Sequence, residues 1–402
     1  MNIDKGKKKI AIYSGEIPTS TFTEHLIEGI AKHHHVLLFG RINRSKFKSY
    51  NNPNIKIYPA ELNVLHNLFL IIYRSITLLL RYPSRFKMLL QEVGAWNSLK
   101  LKWSLYQRWL PMVLYKPDIM HLQWARSVST FGFLKARLNV KLVVSLLGTH
   151  VTYTPLVNQR IKNSYIRWFP KVDAFLAVSE AIKLEALKYK ADAGQIKVIR
   201  SPIPDFFFKA YKPYKKYTEP NRINLLSVGR FHWIKGIDYA IQAVKLLKDV
   251  GFEVSYTILG RAQVPVELLY TIHDLGLREN ITIVGNISQQ ELIGHYHNHD
   301  ILILPSIMEG IANVVLEAMA VGLPVISTDC GGMPEVVKHR ETGWLVPSRS
   351  PEAIADAVED VLNTNQAQIK TIVSNAYNLV KRDYRAGHSV AEVLKLYKGI
   401  DT

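Results

Sequence analysis

Short apolar runs recur along the second half of the chain, and most of them end at glycine or at a polar turn. Segments with apolar residues at helical spacing separate these runs, and strands that alternate with helices predict a parallel, doubly wound sheet. Ser288 and Glu291 form the pattern of a capping box at the start of one helix. The predicted strands are residues 223–229, 253–260, 281–285, 301–306 and 324–329, and the predicted helices are residues 238–247, 266–275, 291–297 and 313–320.

The first half repeats this plan less regularly, so we expect two α/β domains. Its predicted strands are residues 9–15, 35–40, 55–60, 118–123, 141–148, 174–179 and 196–201. The polar, proline-bearing stretch 211–222 is the predicted linker between a first domain, 1–210, and a second domain, 223–380. We expect residues 381–402 to form a helix that packs back on the first domain.

Residues 62–110 interrupt the first half with a different pattern. Large apolar residues recur there at helical spacing, whereas Arg74, Thr77 and Arg81 fall on the opposite face, which predicts an amphipathic helix rather than a membrane span. Cations alternate with tryptophan, tyrosine and phenylalanine after it, a mixture that suits a membrane interface. The alternative is that these helices pack on the domain core and that only their cationic tips face water. The apolar face comprises Leu65, Leu68, Phe69, Ile72, Ile76, Leu79 and Leu80.

Charge is distributed unevenly between the two halves. Residues 1–210 hold 32 Lys and Arg against 12 Asp and Glu, while the remaining residues hold 19 against 21, so the net charge of +18 comes from the first half. This asymmetry favours an anionic partner such as nucleic acid, anionic lipid or a phosphorylated acceptor, with solubility alone as the alternative. The single cysteine, Cys330, excludes an internal disulfide, and the N-terminus lacks the pattern of a signal peptide. We therefore expect a protein that is cytosolic or lies on the cytosolic face of a membrane.

The stretch "VGRFHWIKG" is the first candidate for chemistry. A predicted strand ends at Gly229, and Arg230 and Lys235 follow within a glycine-bounded loop. Two cations fixed at the carboxyl end of a strand can clamp a diphosphate, and an arginine can do so with two hydrogen bonds. A salt-bridged surface loop would have the same pattern.

The stretch "SIMEGIANVVLEAMAVGLPVIST" is the second candidate. A helix is predicted to begin at Asn313, and the N–H groups of residues 310–313 would point out of its start, where anions bind readily. Glu309 precedes this helix and Glu317 lies within it, and carboxylates commonly accept the hydroxyl groups of vicinal diols. The alternative is that Glu309 caps the helix and Glu317 lies on the surface.

These two stretches, together with "GGMPEVV" and "TGWLVP", resemble the retaining glycosyltransferases of family 4, also described as group 1. Weaker likenesses at residues 116–123, 172–182 and 199–208 extend the resemblance over most of the chain. The resemblance implies a GT-B fold, in which two Rossmann-like domains face a cleft. It also implies that the enzyme transfers a sugar from a nucleotide-sugar donor without a metal ion, and no Asp-x-Asp pair occurs in the chain.

The resemblance also implies roles for individual residues. Gly229, Arg230 and Lys235 would hold the donor diphosphate. Glu317 would bind the ribose hydroxyls, and Glu309 would bind the transferred sugar. The catalytic residues would be Arg230, Lys235 and Glu309. The N–H groups of Gly310, Ile311, Ala312 and Asn313 would complete the cradle, and the loop that contains Asn286 would lie near the base.

Two departures from the family pattern fall in the first half. The loop 14–25 lacks the glycine pair often found there, and residues 147–150 read Leu-Gly-Thr-His where the family frequently has His-Gly-x-Asp. Glu16 and His150 remain candidates for the acceptor side.

The sequence therefore predicts a glycosyltransferase at the inner face of the cell membrane. Its acceptor would be a lipid-linked or otherwise anionic glycan in surface polysaccharide or lipopolysaccharide assembly, and an anionic membrane surface would be a partner. The alternatives are a nucleotide-sugar epimerase, a transferase that acts on soluble sugars, and a non-catalytic nucleotide-sugar-binding protein. A nucleic-acid partner is not expected, because no recognisable nucleic-acid motif accompanies the basic half.

Overall fold

The computed structural model describes residues 6–19, 21–43, 49–59, 64–214, 221–261, 263–285 and 287–400. The chain divides into two compact units. The first unit comprises Met1–Ala177, Lys183–Ile199 and Val390–Thr402, and the second comprises Val178–Ile182 and Arg200–Ser389.

The first unit contains a seven-stranded parallel sheet with the strand order β3-β2-β1-β4-β5-β6-β7. Its central strands are almost entirely buried, as expected for a parallel sheet covered on both faces. The strands are β1 (Lys9–Ile17), β2 (His35–Ile42), β3 (Ile55–Pro59), β4 (Ile119–Leu122), β5 (Lys141–Leu146), β6 (Ala174–Ala177) and β7 (Ile196–Val198).

Helices follow most of these strands. They are α1 (Thr21–Ala31), α2 (Val64–Arg81), α3 (Pro83–Gly94), α4 (Leu99–Tyr115), α5 (Val128–Phe131), α6 (Phe133–Leu138), α7 (Thr149–Thr152), α8 (Thr154–Val157), α9 (Gln159–Trp168) and α10 (Glu180–Leu187).

The second unit contains a six-stranded parallel sheet with the strand order β10-β9-β8-β11-β12-β13. Neighbouring residues of one strand enter different core clusters, since Leu225 packs on one face of the sheet and Leu226 on the other. The strands are β8 (Arg222–Arg230), β9 (Glu253–Arg261), β10 (Ile281–Val284), β11 (Ile301–Leu304), β12 (Val325–Thr328) and β13 (Trp344–Val346).

The helices of the second unit cover both faces of its sheet. They are α11 (Asp205–Lys209), α12 (Ile237–Asp249), α13 (Val266–Asp274), α14 (Gln289–Asn298), α15 (Asn313–Val321), α16 (Pro351–Asn363) and α17 (Gln366–Asp383). The predicted capping box is confirmed, because Ser288 Oγ accepts from the Glu291 N–H at 3.2 Å and Glu291 Oε2 accepts from the Ser288 N–H at 2.6 Å.

The last helix, α18 (Ala386–Gly399), contributes Val393, Leu396 and Tyr397 to the core of the first unit. The Tyr397 hydroxyl lies 2.6 Å from Nδ1 of His121 in β4, and Nε2 of His121 lies 2.9 Å from Ser145 Oγ in β5. Complete burial lowers the pKa of His121 to about 3, so a neutral imidazole joins this helix to the sheet.

Two predictions about the chain need correction. The units divide at residues 199/200 rather than at 210, because Ile203, Phe207 and Phe208 pack in a core cluster of the second unit. The described ends of the predicted linker 211–222 therefore belong to the second unit, where the Lys212 N–H donates to the carbonyl of Val321 at 3.0 Å, and residues 215–220 lie outside the described residues. Strand β13 was not predicted, because three residues are too few to show an apolar run.

Helix α2 exposes the apolar stripe predicted for it. Phe69 is 65% and Leu80 is 76% exposed, whereas Arg74 is 7% exposed and lies over the ring of Tyr58, at 5.7 Å from its centroid. Ser75 Oγ on the inward face lies 2.6 Å from the Tyr106 hydroxyl of α4. The alternative in which this stripe packs on the domain core is therefore wrong for α2. No helix within the described residues has the length and apolar content needed to cross a bilayer.

Candidate functional site

The loop that follows β8 is fixed against the loop that follows β11. A short 3₁₀ helix, Trp233–Lys235, ends at Gly236, whose φ is +60°. A Cβ at Gly236 would lie 2.1 Å from the carbonyl oxygen of Pro305, so only glycine fits there. The Ile307 N–H also donates to the Ile234 carbonyl at 2.8 Å. These contacts hold the "GRFHWIKG" loop beside the "SIMEG" loop.

Lys235 and Glu309 form an ion pair between these two loops. Lys235 Nζ donates to Glu309 Oε1, and Ser306 Oγ donates to the same oxygen at 2.8 Å. Both charged side chains are largely buried. The position of Glu309 is therefore set by two protein partners, Lys235 and Ser306, before any substrate binds.

Glu317 lies on the first turns of α15 and is 7% exposed. The Tyr296 hydroxyl of α14 lies 3.0 Å from Glu317 Oε2 and 3.2 Å from the Val314 carbonyl. Burial, and secondly the charge of Glu317, raise the pKa of Tyr296 well above its ordinary value. The phenol therefore stays protonated and donates, so Glu317 also has a protein partner. The surface position considered for Glu317 is excluded.

A pair of glycines packs against the backbone of Glu309 and Gly310. Gly331 has a φ of +56°, and a Cβ there would lie 1.9 Å from the Glu309 carbonyl oxygen. A Cβ at Gly332 would lie 2.2 Å from the carbonyl oxygen of Gly310, which accepts from the Gly332 N–H at 2.8 Å. The glycines of "GGMPEVV" therefore fix the approach to helix α15.

The start of α15 presents N–H groups that the described residues leave unused. Ala312 is the N-cap and provides no side-chain cap. Its own N–H donates to Met333 Sδ at 3.4 Å, and sulfur is a weak acceptor. The N–H groups of Gly310, Ile311 and Asn313 have no acceptor within the described part of the chain. Such a helix start attracts an anion.

A cavity of about 220 Å³ lies at the carboxyl ends of β8, β9 and β10. Among the described residues that line it, Arg230 is the one cation and Glu317 the one carboxylate. Arg230 is exposed and makes no ion pair or hydrogen bond with the described residues. Gly229 also lines the cavity, and the side chain of Lys235 packs against Gly229, since a Cβ there would lie 3.7 Å from Lys235 Cδ. The predicted base-side residue Asn286 lies outside the described residues.

The two acceptor-side candidates of the first unit occupy different surroundings. Glu16 lines a cavity of about 340 Å³ beside Arg41 and Arg108, and its Oε1 accepts from Asn43 Nδ2 at 2.6 Å. His150 is not among the residues that line this cavity. Its ring lies 4.8 Å from the Trp124 ring, and its carbonyl accepts from the Tyr165 hydroxyl at 2.7 Å.

Gln123 was not singled out as a site residue in the sequence. It is completely buried just after β4, and its side-chain amide has no hydrogen-bond partner within the described residues. A buried amide without a partner is costly. The available signal was a polar residue directly after an apolar strand, at the sheet edge where α/β proteins bind ligands.

Taken together, the second unit combines an anion site with two carboxylates of fixed position. The Arg230 guanidinium and the N–H groups at the start of α15, which have no partner within the described residues, can receive a phosphate, and carboxylates such as Glu309 and Glu317 can accept hydroxyl groups.

Two family profiles match the chain. The profile described as "Glycosyl transferases group 1" matches residues 212–378, and the profile described as "Glycosyltransferase Family 4" matches residues 19–205. The second unit's site lies within the first of these matches.

Named relatives are similar over part of the chain. The amylovoran biosynthesis glycosyltransferase AmsK of Erwinia amylovora is 32% identical over 58% of this chain and 59% of its own length. The putative colanic acid biosynthesis glycosyltransferase WcaL of Escherichia coli K12 is 29% identical over 55% of each chain. The matched stretches thus span little more than half the length of these relatives.

Solved structures share the fold over nearly the whole chain. Anabaena Alr3699/HepE in complex with UDP superposes with a TM-score of 0.69 at 16% identity, covering 98% of this chain and 100% of that one. Sucrose-phosphate synthase of Thermosynechococcus elongatus superposes with a TM-score of 0.74 at 19% identity, covering 98% and 99%. Together with the two parallel sheets, this similarity confirms the predicted GT-B fold.

Gly331→Ala tests the role of the glycine pair. We expect it to lower the free energy of unfolding by about 2–5 kcal/mol, because a left-handed alanine costs about 1–2 kcal/mol and its Cβ also overlaps the Glu309 carbonyl. Urea unfolding followed by tryptophan fluorescence measures the change. Gly276→Ala is the matched control, since its φ is +65° but no atom lies within 4 Å of the added Cβ. Equal losses in the two variants would contradict this role.

Proposed function

Because the chain belongs to the group 1 glycosyltransferases of family 4, we propose that it transfers a sugar from a nucleotide-diphosphate sugar to a glycan acceptor. The observation that carries this proposal is the anion site at the start of α15, beside Arg230 and the Lys235–Glu309 pair. Its parts suit the three chemical groups of such a donor: a diphosphate, a ribose diol and a sugar with several hydroxyls.

We assign these groups by charge and position. Arg230 and the N–H groups of Gly310, Ile311 and Asn313 would hold the diphosphate. Glu317, in the lining of the cavity beside β8, would accept the ribose hydroxyls, with its position set by Tyr296. Glu309 would accept hydroxyls of the transferred sugar.

Lys235 would interact with two negative groups, the Glu309 carboxylate and the departing phosphate. It neutralises Glu309 in the absence of donor, and it would share its charge with the phosphate as the sugar–phosphate bond breaks. Fixed donors aimed at developing charge are commonly the largest contribution to catalysis. We therefore also propose that the reaction needs no metal ion and that the sugar keeps its anomeric configuration.

The acceptor we propose is a lipid-linked or otherwise anionic glycan of surface polysaccharide or lipopolysaccharide assembly. Relatives named for amylovoran and colanic acid biosynthesis support the polysaccharide part of this proposal. The excess of positive charge in residues 1–210 supports an anionic acceptor.

Arg230→Ala and Glu309→Gln test the proposed chemistry. Each should lower the transfer rate by roughly 10²–10³-fold, because each removes a group that faces the departing phosphate or the sugar. The assay is product formation from UDP- and GDP-sugars with a membrane glycolipid extract, with the anomer of the product assigned by NMR and EDTA present in one arm.

Arg278→Ala and Glu267→Gln are the controls, because both residues are exposed in the same unit and away from the cavity. Full activity of both site variants would refute the assignment. Donor conversion without acceptor would favour an epimerase, and donor binding without turnover a binding protein. An inverted product would refute the proposed retention of configuration. Loss of activity with EDTA would refute the proposed independence of a metal ion.

We further propose that α2 binds the surface of an anionic membrane. Its exposed stripe is apolar, and the residues from 64 to 91 contain cations but no Asp or Glu. Apolar contact with the interface and attraction to anionic lipid act together in such helices. The absence of acidic residues favours an anionic lipid surface over a second copy of this basic unit.

Flotation with vesicles tests this surface. The protein should float with vesicles that contain anionic lipid at low salt, and less with neutral vesicles. Phe69→Gln together with Leu80→Gln should reduce the bound fraction several-fold, because both side chains lie on the exposed stripe. Leu184→Gln together with Val266→Gln is the control, because this double variant also removes exposed apolar side chains but leaves α2 unchanged. Absence of flotation, equal flotation of both double variants, or dimer formation through the stripe would contradict the proposal.

A further inference from the structure

A second large cavity of the first unit, about 460 Å³, is lined by aromatic and polar residues. It shares no lining residue with the cavity beside Glu16, and the proposed donor site belongs to the other unit. Its volume lies within the range of small-molecule sites, which combine apolar walls with a few polar groups.

One face of α9 supplies most of the polar groups. Arg160, Asn163, Ser164 and Arg167 line the cavity, and their spacing of three, four and seven residues places them on one side of a helix. The C-terminal end of the helix packs closely on its neighbour, since a Cβ at Gly132 would lie 2.5 Å from the ring of Trp168, which also lines the cavity. The polar groups of this face and the Trp168 ring therefore border the same space.

Two donors in the cavity lining have no acceptor. Trp109 of α4 is 2% exposed, and its Nε1 has no hydrogen-bond partner within the described residues. The buried Oγ of Ser164 also has none. An indole N–H can only donate, so the group that would satisfy it is an acceptor such as an oxygen. Leaving such groups unpaired is costly, so an oxygen atom, of a water molecule or of a ligand, would complete them.

Two arginines give the cavity its charge. Arg160 lies 4.8 Å from the centroid of the Trp96 ring, and Arg167 lies 5.0 Å from that of the Trp168 ring. Neither forms an ion pair with a described carboxylate, and the one acidic residue in the lining, Glu92, already pairs with Arg137 Nε at 2.9 Å. Stacked guanidinium groups are well suited to bind a carboxylate.

We propose that this cavity binds an acidic sugar residue, with its carboxylate at Arg160 and Arg167 and its ring oxygens at Trp109 and Ser164. A sugar suits these lining groups, because it has hydrogen-bond acceptors and donors around one ring and apolar C–H faces that can pack on the indole rings. A bare anion would occupy the arginines and leave the indole N–H unpaired. The choice of a sugar over other carboxylates rests on the proposed function, in which the positive charge of this half of the chain favours an anionic glycan acceptor.

Isothermal titration of the full chain with D-glucuronate, D-glucose and inorganic phosphate tests the proposal without any transfer reaction. Glucuronate should bind at least roughly tenfold more tightly than glucose or phosphate, because a hydrogen bond to a charged group contributes about that factor. Trp109→Phe, which keeps the ring and removes the N–H, and Ser164→Ala should each weaken glucuronate binding several-fold. Arg160→Gln together with Arg167→Gln should abolish the preference for glucuronate over glucose.

Trp103→Phe and Lys162→Gln are the controls on the same two helices, because neither residue lines the cavity. A thermal shift with UDP or GDP reports the donor site and the fold of each variant separately. Glucuronate binding that depends on Trp109 supports the site even if no nucleotide binds and the proposed function fails. A retained nucleotide shift without glucuronate binding, equal binding of phosphate, or indifference to the Trp109 and Ser164 variants would overturn it.

Discussion

The ion pair between Lys235 and Glu309 is the interaction on which the candidate site depends. It joins the loop after β8 to the loop after β11, and the close contact of Gly236 with the Pro305 carbonyl holds those loops in reach of each other, while Gly331, after β12, packs on the backbone of Glu309. A largely buried pair is stable only when both charges are matched, and removing one partner leaves an uncompensated charge. The same pair keeps a carboxylate and a cation next to the start of α15. Stability of the loops and readiness to bind an anion therefore have one physical origin.

The two carboxylates in the "MEGIANVVLEA" stretch are held by different means. Glu309 is fixed by a cation and a hydroxyl, whereas Glu317 is fixed by a phenol whose pKa is raised by burial. Each arrangement fixes the position of the carboxylate before a ligand binds. Prior fixation of this kind reduces the ordering that a ligand must cause when it binds. Arg230, by contrast, is exposed and unpaired within the described chain, so a ligand would supply its counter-charge.

The regular pattern of the second half made its fold predictable. Strands β8 to β12, helices α12 to α15 and the Ser288 capping box follow from local periodicity and turn residues. The protein partners of Glu309 and Glu317 were not predictable, because Lys235 and Tyr296 come near them only through the tertiary fold. The same reason explains the first half, where the inward face of α2 is decided by Tyr58 and Tyr106 rather than by the apolar stripe. The resemblance to a family located the site residues, while packing supplied their geometry.

We propose that the second unit recognises a nucleotide mainly through its diphosphate. Equilibrium titration of the full chain with a nucleoside, its monophosphate and its diphosphate, in the uridine and guanosine series, tests it most directly. For the base that binds more tightly, we expect the diphosphate to bind at least roughly tenfold more tightly than the monophosphate. The second phosphate would contact the N–H groups at the start of α15 and Lys235. Equal affinities of monophosphate and diphosphate in both series would contradict recognition through the diphosphate.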